Sequence, residues 1–291
     1  MSTSYEVRIT GDGSPTFYSE EFGQTFHNPA GAAEEALEKF VLPCQIPALA
    51  HRGRVRLLDV CFGLGYNTAV AITTLRAHNP DCQIEAIGLE RSADVPWFAA
   101  QQGVSLAWDP QVDWRTLLEQ GSLHSPNLQA EMRWGDARQT IPTLPDGWAD
   151  AVFFDPFSPS VCPELWTVDF FRQVVRCMHP SARLTTYSCS AAARSAMIEA
   201  GLQVGSTPPV GRPWPGTVAA THDPTLPPLS PMDAEHLLTR AAIPFRDPHL
   251  GDDRAIIVQR RQQEQQRSTL EPTSAWKKRW LLRHSTDGIP D

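Results

Sequence analysis

The stretch VRLLDVCFGLGYN, Val55 to Asn67, constrains this chain more than any other part of it. An apolar run carries an acid, Asp59, near its end and then turns through Gly63 and Gly65 into a helical segment, Tyr66 to His78. Glycines let the backbone take positive φ and let a ligand approach closely, and the N-terminus of the helix beyond attracts anions. Further buried strands are predicted at QIEAIGLER (83–91), DAVFFD (150–155) and ARLTTYSCS (182–190), with a helix over Leu165 to Met178. Alternating buried strands and helices imply an α/β fold, a mostly parallel sheet covered by helices on both faces.

The flanks read differently. Residues 5–27 are turn-rich and predict a short hairpin or two, and Gly31 to Leu42 predicts a helix that Pro43 ends. Two proline-rich stretches, 207–216 and 223–231, mark the end of the core. The expected division is an N-terminal hairpin and helix over 1–53, a core over 54–222 and a C-terminal extension over 223–291. With 291 residues, 41% of them hydrophobic, the chain is long and apolar enough for a sizeable core. No apolar run reaches about 18 residues, and no basic segment precedes an apolar one at the N-terminus, so neither a membrane span nor a signal peptide is expected. Six cysteines are scattered without a C-x-x-C pair, which suits free thiols in a reducing cytoplasm better than disulfides or a zinc site.

Charge is unevenly placed. Between Arg254 and His284 stand eight basic residues, opposed only by Glu264 and Glu271, in a chain whose net charge is −8. Such a basic tail suits either a polyanionic partner or a solvated helix face. Trp276 and Trp280, four apart beside Lys277, Lys278 and Arg279, share a helical face; they either stack on bases or dock the tail onto the body.

Three segments carry candidate chemistry. Glu90, at the end of the second strand, is placed to accept the hydroxyls of a ribose. The third glycine of the dinucleotide fingerprint is missing, because Thr68 stands three residues after Gly65, and this counts against NAD and FAD. Asp59 also fits a ligand carrying an ammonium group, and S-adenosylmethionine has one together with a ribose and an adenine. The competing reading makes Asp59 a turn cap and Glu90 a surface charge. In RWGDARQTIP, Asp136 either accepts an adenine amino group or caps a helix beginning at Ala137. In FFDPFSP, a buried strand delivers Asp155 into a proline-rigid turn. There Asp155 can accept an N–H bond from an amine, backbone carbonyls of the turn can accept another, and Phe157 can stack on an acceptor ring or face a sulfonium. Alternatively this is a tight Asp-Pro turn with Phe157 in the core.

The order DVCFGLGYN, GLER, GDAR and FFDPFSPSVCPELW resembles the methyltransferase domain of the MnmC family. The resemblance runs from near Phe17 through TRAAIPFRDP to the WKKRW end. It implies a Rossmann-like, S-adenosyl-L-methionine-dependent methyltransferase of the cytoplasm, acting on the aminomethyl group of 5-aminomethyl-2-thiouridine at the wobble position of tRNA. By the same resemblance Asp59 and the turn Phe62, Gly63 and Gly65 hold the methionine end of the donor, Glu90 its ribose and Asp136 its adenine, with Asn67 also among the donor-binding residues. Asp155 orients the aminomethyl nitrogen and Phe157 packs on the base. Arg133, Arg212 and the basic tail are candidate phosphate contacts. No metal is called for. The FAD oxidase domain of bifunctional members has no counterpart in these residues, which points to a stand-alone enzyme acting on the aminomethyl rather than the carboxymethylaminomethyl form.

This sequence departs from the family pattern in two places. Val60-Cys61 stands where a small polar residue is usual, and Asp155-Pro156 replaces Asp-Gly and removes a backbone N–H. Two other readings stay open: a methyltransferase or aminopropyltransferase acting on a small amine, and a non-catalytic RNA-binding relative. A diamine substrate would call for further acids around Asp155.

Overall fold

The apolar runs become the buried centre of an eight-stranded sheet in the computed structural model, which describes residues 5–102 and 112–284. The strands are β1 (Glu6–Ile9), β2 (Pro15–Ser19), β3 (Gln24–Thr25), β4 (Arg54–Val60), β5 (Gln83–Glu90), β6 (Ser122–Ser125), β7 (Leu128–Trp134), β8 (Ala149–Phe154), β9 (Met178–Thr186), β10 (Gln203–Ser206) and β11 (Thr217–Ala220). The large sheet runs β10-β11-β9-β8-β4-β5-β7-β6. Its five central strands are mutually parallel. Antiparallel strands finish both edges. The fold is thus an α/β, mostly parallel sheet, and the first strand of the sheet, β4, sits at its middle.

Side chains alternate across the sheet and feed two cores. Leu57 and Phe153 pack on one face with Phe40, Ile72 and Leu75, whereas Leu58, Val152 and Phe154 pack on the other with Trp166, Phe170 and Phe171. Each such fully buried side chain is worth about 1.5–3 kcal/mol of transfer free energy. The helix Tyr66–His78 follows the glycine turn and lies in the first core; Val168–Cys177 lies in the second.

The structure revises several boundaries. The strand read at 182–190 begins at Met178 and stops at Thr186, so Tyr187 already stands in the loop beyond it. The prolines of 207–216 do not close the core: they form a loop between β10 and β11, and β11 pairs with β9 inside the sheet. The helix read over 31–42 runs as Ala32–Glu35 and then as a π-helix, Ala36–Val41, with the Leu42 amide bonded to the Leu37 carbonyl.

The N-terminal segment forms a three-stranded antiparallel sheet, β1-β2-β3. Tyr5, Phe17, Phe26 and Phe98 cluster at centroid distances of 5.1–6.4 Å and fasten that sheet over the first core. At the other end, the helix Arg254–Arg267 seats Ile257 in the second core. The helix Thr273–His284 buries Trp276, whose ring stacks on His236 at 4.5 Å and 7°. No helix among the described residues is long and apolar enough to cross a membrane.

Candidate active site

Four acids stand at the carboxyl ends of neighbouring parallel strands: Asp59 near the end of β4, Glu90 ending β5, Asp136 just after β7 and Asp155 just after β8. Open α/β sheets bind ligands there, beside the strand where the connection reverses direction. β4 is that strand, with β5 on one side and β8 on the other. A cavity of about 620 Å³ opens at this place.

The turn after β4 is made by three residues at positive φ: Cys61 at 68°, Gly63 at 54° and Gly65 at 83°. Cysteine seldom takes this conformation, and two amide bonds to the Leu89 carbonyl, from Cys61 and Phe62, hold it there. The turn presents the Gly63 amide to Glu90, whose Oε2 accepts at 3.0 Å, while Oε1 accepts the Ser92 amide at 3.3 Å. Burial raises the carboxyl pKa of Glu90, and these amides counter part of that rise. Glu90 itself lines the cavity. Asp136 both caps the short helix Ala137–Thr140, accepting the Arg138 amide at 2.9 Å, and lines the cavity. Its two readings coexist. Its carboxylate is gripped by Arg138, which also pairs with the fully buried Asp247.

On the opposite side, Asp155 accepts a bond from Asn67 Nδ2 at 3.0 Å through Oδ2. Burial, followed by the nearby charge of Glu35, pushes its carboxyl well above the usual range, and the Asn67 bond opposes this. Of the backbone carbonyls expected to receive substrate, Pro156 O accepts Tyr187 Oη at 2.9 Å and Phe157 O accepts Trp166 Nε1 at 2.9 Å, which leaves each a single further lone pair. Phe157 lines the cavity, and Phe22 stacks on its ring at 4.3 Å with Phe26 edge-on at 5.1 Å.

Of the nine residues singled out from sequence, Gly63, Glu90, Asp136, Asp155 and Phe157 line one cavity, and Asp59, Phe62, Gly65 and Asn67 do not. Asp59 lies beneath the turn, 1% exposed, bonded to Thr68 Oγ1 at 2.7 Å through Oδ2, with Oδ1 buried and unpartnered. Burial pushes its pKa up to about 7. Phe62 packs against Gly88, where a side chain would overlap its ring, and Gly65 starts the helix Tyr66–His78. Asn67 acts through Asp155.

The sequence reading missed Glu35, Phe22 and Tyr187, which also line the cavity. Glu35 is a second acid whose charge acts on Asp155, yet Lys39 pairs with it at 3.2 Å, both of them buried, and the Asn28 amide bonds it at 2.8 Å. The i, i+4 spacing of Glu35 and Lys39 was visible; their burial was not. Much of the tail's positive charge is engaged within the fold. Arg254 bonds Ser160 O, Arg260 pairs with Asp252, Arg261 bonds Ile243 O and Ala241 O, and Arg279 pairs with Glu235 and Glu271. Arg267, Lys277 and Lys278 remain exposed, and the Arg283 side chain lies outside the described residues. Arg133 lies outside the cavity wall and pairs with Glu131, whereas Arg212 lines the cavity.

The geometry fits S-adenosyl-L-methionine: a glycine turn beside a strand-end carboxylate in the cavity wall, a loop acid further along, and a buried Asp59 oxygen lacking a partner. A family described as S-adenosyl-L-methionine-dependent methyltransferase matches residues 109–222. An uncharacterised protein of Methanocaldococcus jannaschii is 27% identical over 89% of this chain and 72% of its own. The tRNA 5-methylaminomethyl-2-thiouridine biosynthesis bifunctional protein MnmC of Aromatoleum aromaticum is 30% identical over 69% of this chain, which spans only 33% of that protein's length. The crystal structure of MnmC2 from Aquifex aeolicus superposes with a TM-score of 0.78 and 32% identity, covering 91% of this chain and 86% of the other. On sequence and structure together, the chain belongs to the MnmC2-type family of S-adenosyl-L-methionine-dependent methyltransferases.

Proposed function

We propose that this chain methylates the aminomethyl nitrogen of 5-aminomethyl-2-thiouridine at the tRNA wobble position. The observation that carries this reading is that Asp155, aimed at by no cation's ion pair among the described residues, shares one cavity with the Gly63–Glu90 donor wall. The names of the curated relatives supply the acceptor. Bound S-adenosyl-L-methionine supplies an electrophilic methyl group on a sulfonium. Glu90 accepts hydrogen bonds from the ribose, Asp136 from the adenine amino group, and the Phe62–Gly65 turn shapes the methionine end, with Asp59 beneath it. Asp155 accepts an N–H of the acceptor amine through Oδ1. A protonated amine has no lone pair, so a proton must leave before attack. The raised pKa of Asp155 suits it to take that proton, giving a neutral amine and a neutral carboxyl. This adds proton transfer to the positioning role read from sequence. Phe157, backed by Phe22, packs on the uracil ring.

The small-amine alternative requires further acids around Asp155. Glu35 is one, and its ion pair with Lys39 leaves its charge already neutralised, which weakens the case for a diamine. The test is transfer from labelled S-adenosyl-L-methionine to tRNA carrying the aminomethyl nucleoside, read by nucleoside mass spectrometry. We expect 5-methylaminomethyl-2-thiouridine, and no product on tRNA carrying the carboxymethylaminomethyl form. Donor binding without transfer to either nucleoside would move the acceptor to another amine.

A further inference from the structure

The loop between β10 and β11 contains Pro208, Pro209, Pro213 and Pro215, and the fold fixes it at three points. Its neck is closed by Thr207 and Gly216: the Thr207 amide bonds Gly216 O at 3.3 Å and the Gly216 amide bonds Thr207 Oγ1 at 3.0 Å. Arg194, 1% exposed, adds a bond to Gly216 O. Midway, Asn28 bonds Val210 O at 3.4 Å, and Gly211 sits so close to Asn28 and Ala30, at φ +62°, that no side chain fits. Proline and these anchors leave the loop little conformational freedom.

On this support stand two side chains of note, Arg212, whose charge acts on Asp155 across the cavity, and Trp214. Arg212 lines the cavity with its guanidinium 5.7 Å from the Tyr187 ring centre, and no carboxylate pairs with it among the described residues. Arg91 and Arg138, by contrast, are cavity arginines committed to Glu21 and to Asp136 and Asp247. Trp214 is 59% exposed and makes no hydrogen bond or ring contact with any described residue. An exposed indole two residues from a cavity-wall guanidinium, on a loop anchored at its neck and its middle, matches the chemistry of a single-stranded nucleic acid: a base to stack on and a phosphate to neutralise.

Resting on the acceptor reading above, we propose that the loop 208–215 is the docking arm for single-stranded RNA. Arg212 neutralises the phosphate linking the target nucleotide, inside the cavity, to its neighbour. Trp214 stacks on the neighbour's base outside. Because the arm is preformed, little ordering is lost on docking.

The test measures binding of an anticodon stem-loop RNA to the full chain and to Arg212→Ala, Trp214→Ala and Trp214→Phe, across salt concentration, with donor affinity by calorimetry and melting temperature as controls. Arg212→Ala is expected to weaken RNA binding at least tenfold at 150 mM salt and to lower the log–log salt slope by about one unit. Trp214→Ala is expected to weaken it roughly tenfold without changing the slope, and Trp214→Phe to restore most of the loss. Donor affinity and melting temperature stay unchanged. The proposal is overturned if both alanine variants bind RNA as the native chain does, or if Arg212→Ala weakens donor binding and leaves RNA binding intact, since Arg212 would then serve the donor carboxylate. A native chain that binds the stem-loop through this loop yet fails to methylate aminomethyl tRNA would sink the acceptor reading and leave the docking arm standing.

Discussion

The two walls of the cavity are built by different means. The donor wall, Gly63, Glu90 and Asp136, is made of residues at or just beyond the ends of parallel strands, and backbone amides fix its carboxylates. The acceptor wall draws Phe22 from the N-terminal sheet, Glu35 from the first helix, Asp155 and Phe157 from the loop after β8, Tyr187 from beyond β9 and Arg212 from the proline loop. A wall of strand ends is set by the sheet. A wall assembled from separate segments can change its ligand by changing one loop, which is where specificity is expected to reside.

The sharpest way to separate the walls is Asp155→Asn. Turnover is expected to fall about a hundredfold or more, while donor affinity stays within about threefold. Asp155 can take a proton only when ionised, so the native rate is lost as pH falls through its raised pKa, well above the ordinary carboxylate range. That acid limb should vanish from the residual rate of the variant. A pH–rate profile at saturating donor checks this, and a collapse of donor affinity would erase the distinction between the walls.

Glu90→Ala tests the other side. Loss of two hydrogen bonds to the charged carboxylate should weaken donor binding about 10–100-fold, with turnover at saturating donor changed by less than about fivefold. Calorimetry and steady-state kinetics read the two quantities apart, and a turnover loss equal to that of Asp155→Asn would show Glu90 acting on the acceptor.

The smallest effect on turnover is expected of Asp59→Asn, beneath the donor wall. The native carboxyl titrates at about 7 in the folded chain and near 4 unfolded. Between those values the folded chain holds a proton that the unfolded chain has lost, so stability from this group falls as pH rises through the window. It stays lost above about pH 7. Asparagine is neutral throughout and can still accept from Thr68. The melting temperature of the variant should exceed the native one by a few degrees at pH 8, with the gap closing towards pH 4. An equal melting temperature at pH 8 would mean that a cation or water already compensates Asp59.

Glu90 and Asp155 were legible because a strand end is itself a sequence signal: an apolar run, then an acid, then glycine or proline. Tyr187 was hidden because the predicted strand was carried past Thr186, which made a loop residue look like part of the sheet. Glu35 read as an ordinary charge on a helix, since nothing local shows that its ion pair with Lys39 is buried. In the basic tail the charge density was visible, but the partners Asp252, Glu235 and Glu271 come from elsewhere in the fold or from a turn before the helix. Trp276 likewise left docking and stacking open until its contact with His236 decided for docking.

Hydrophobic periodicity and backbone permissiveness act over a few neighbouring residues, so the parallel sheet, the glycine turn and the acids at the strand ends were legible along the chain. Which acids face the cavity, and which cations are spent on internal carboxylates, emerged with folding. The fold alone put Arg212 into the cavity wall and left Trp214 exposed two residues on, since burial and ion pairing are set by segments as distant in sequence as Asn28 and Val210 that meet only when the chain has folded.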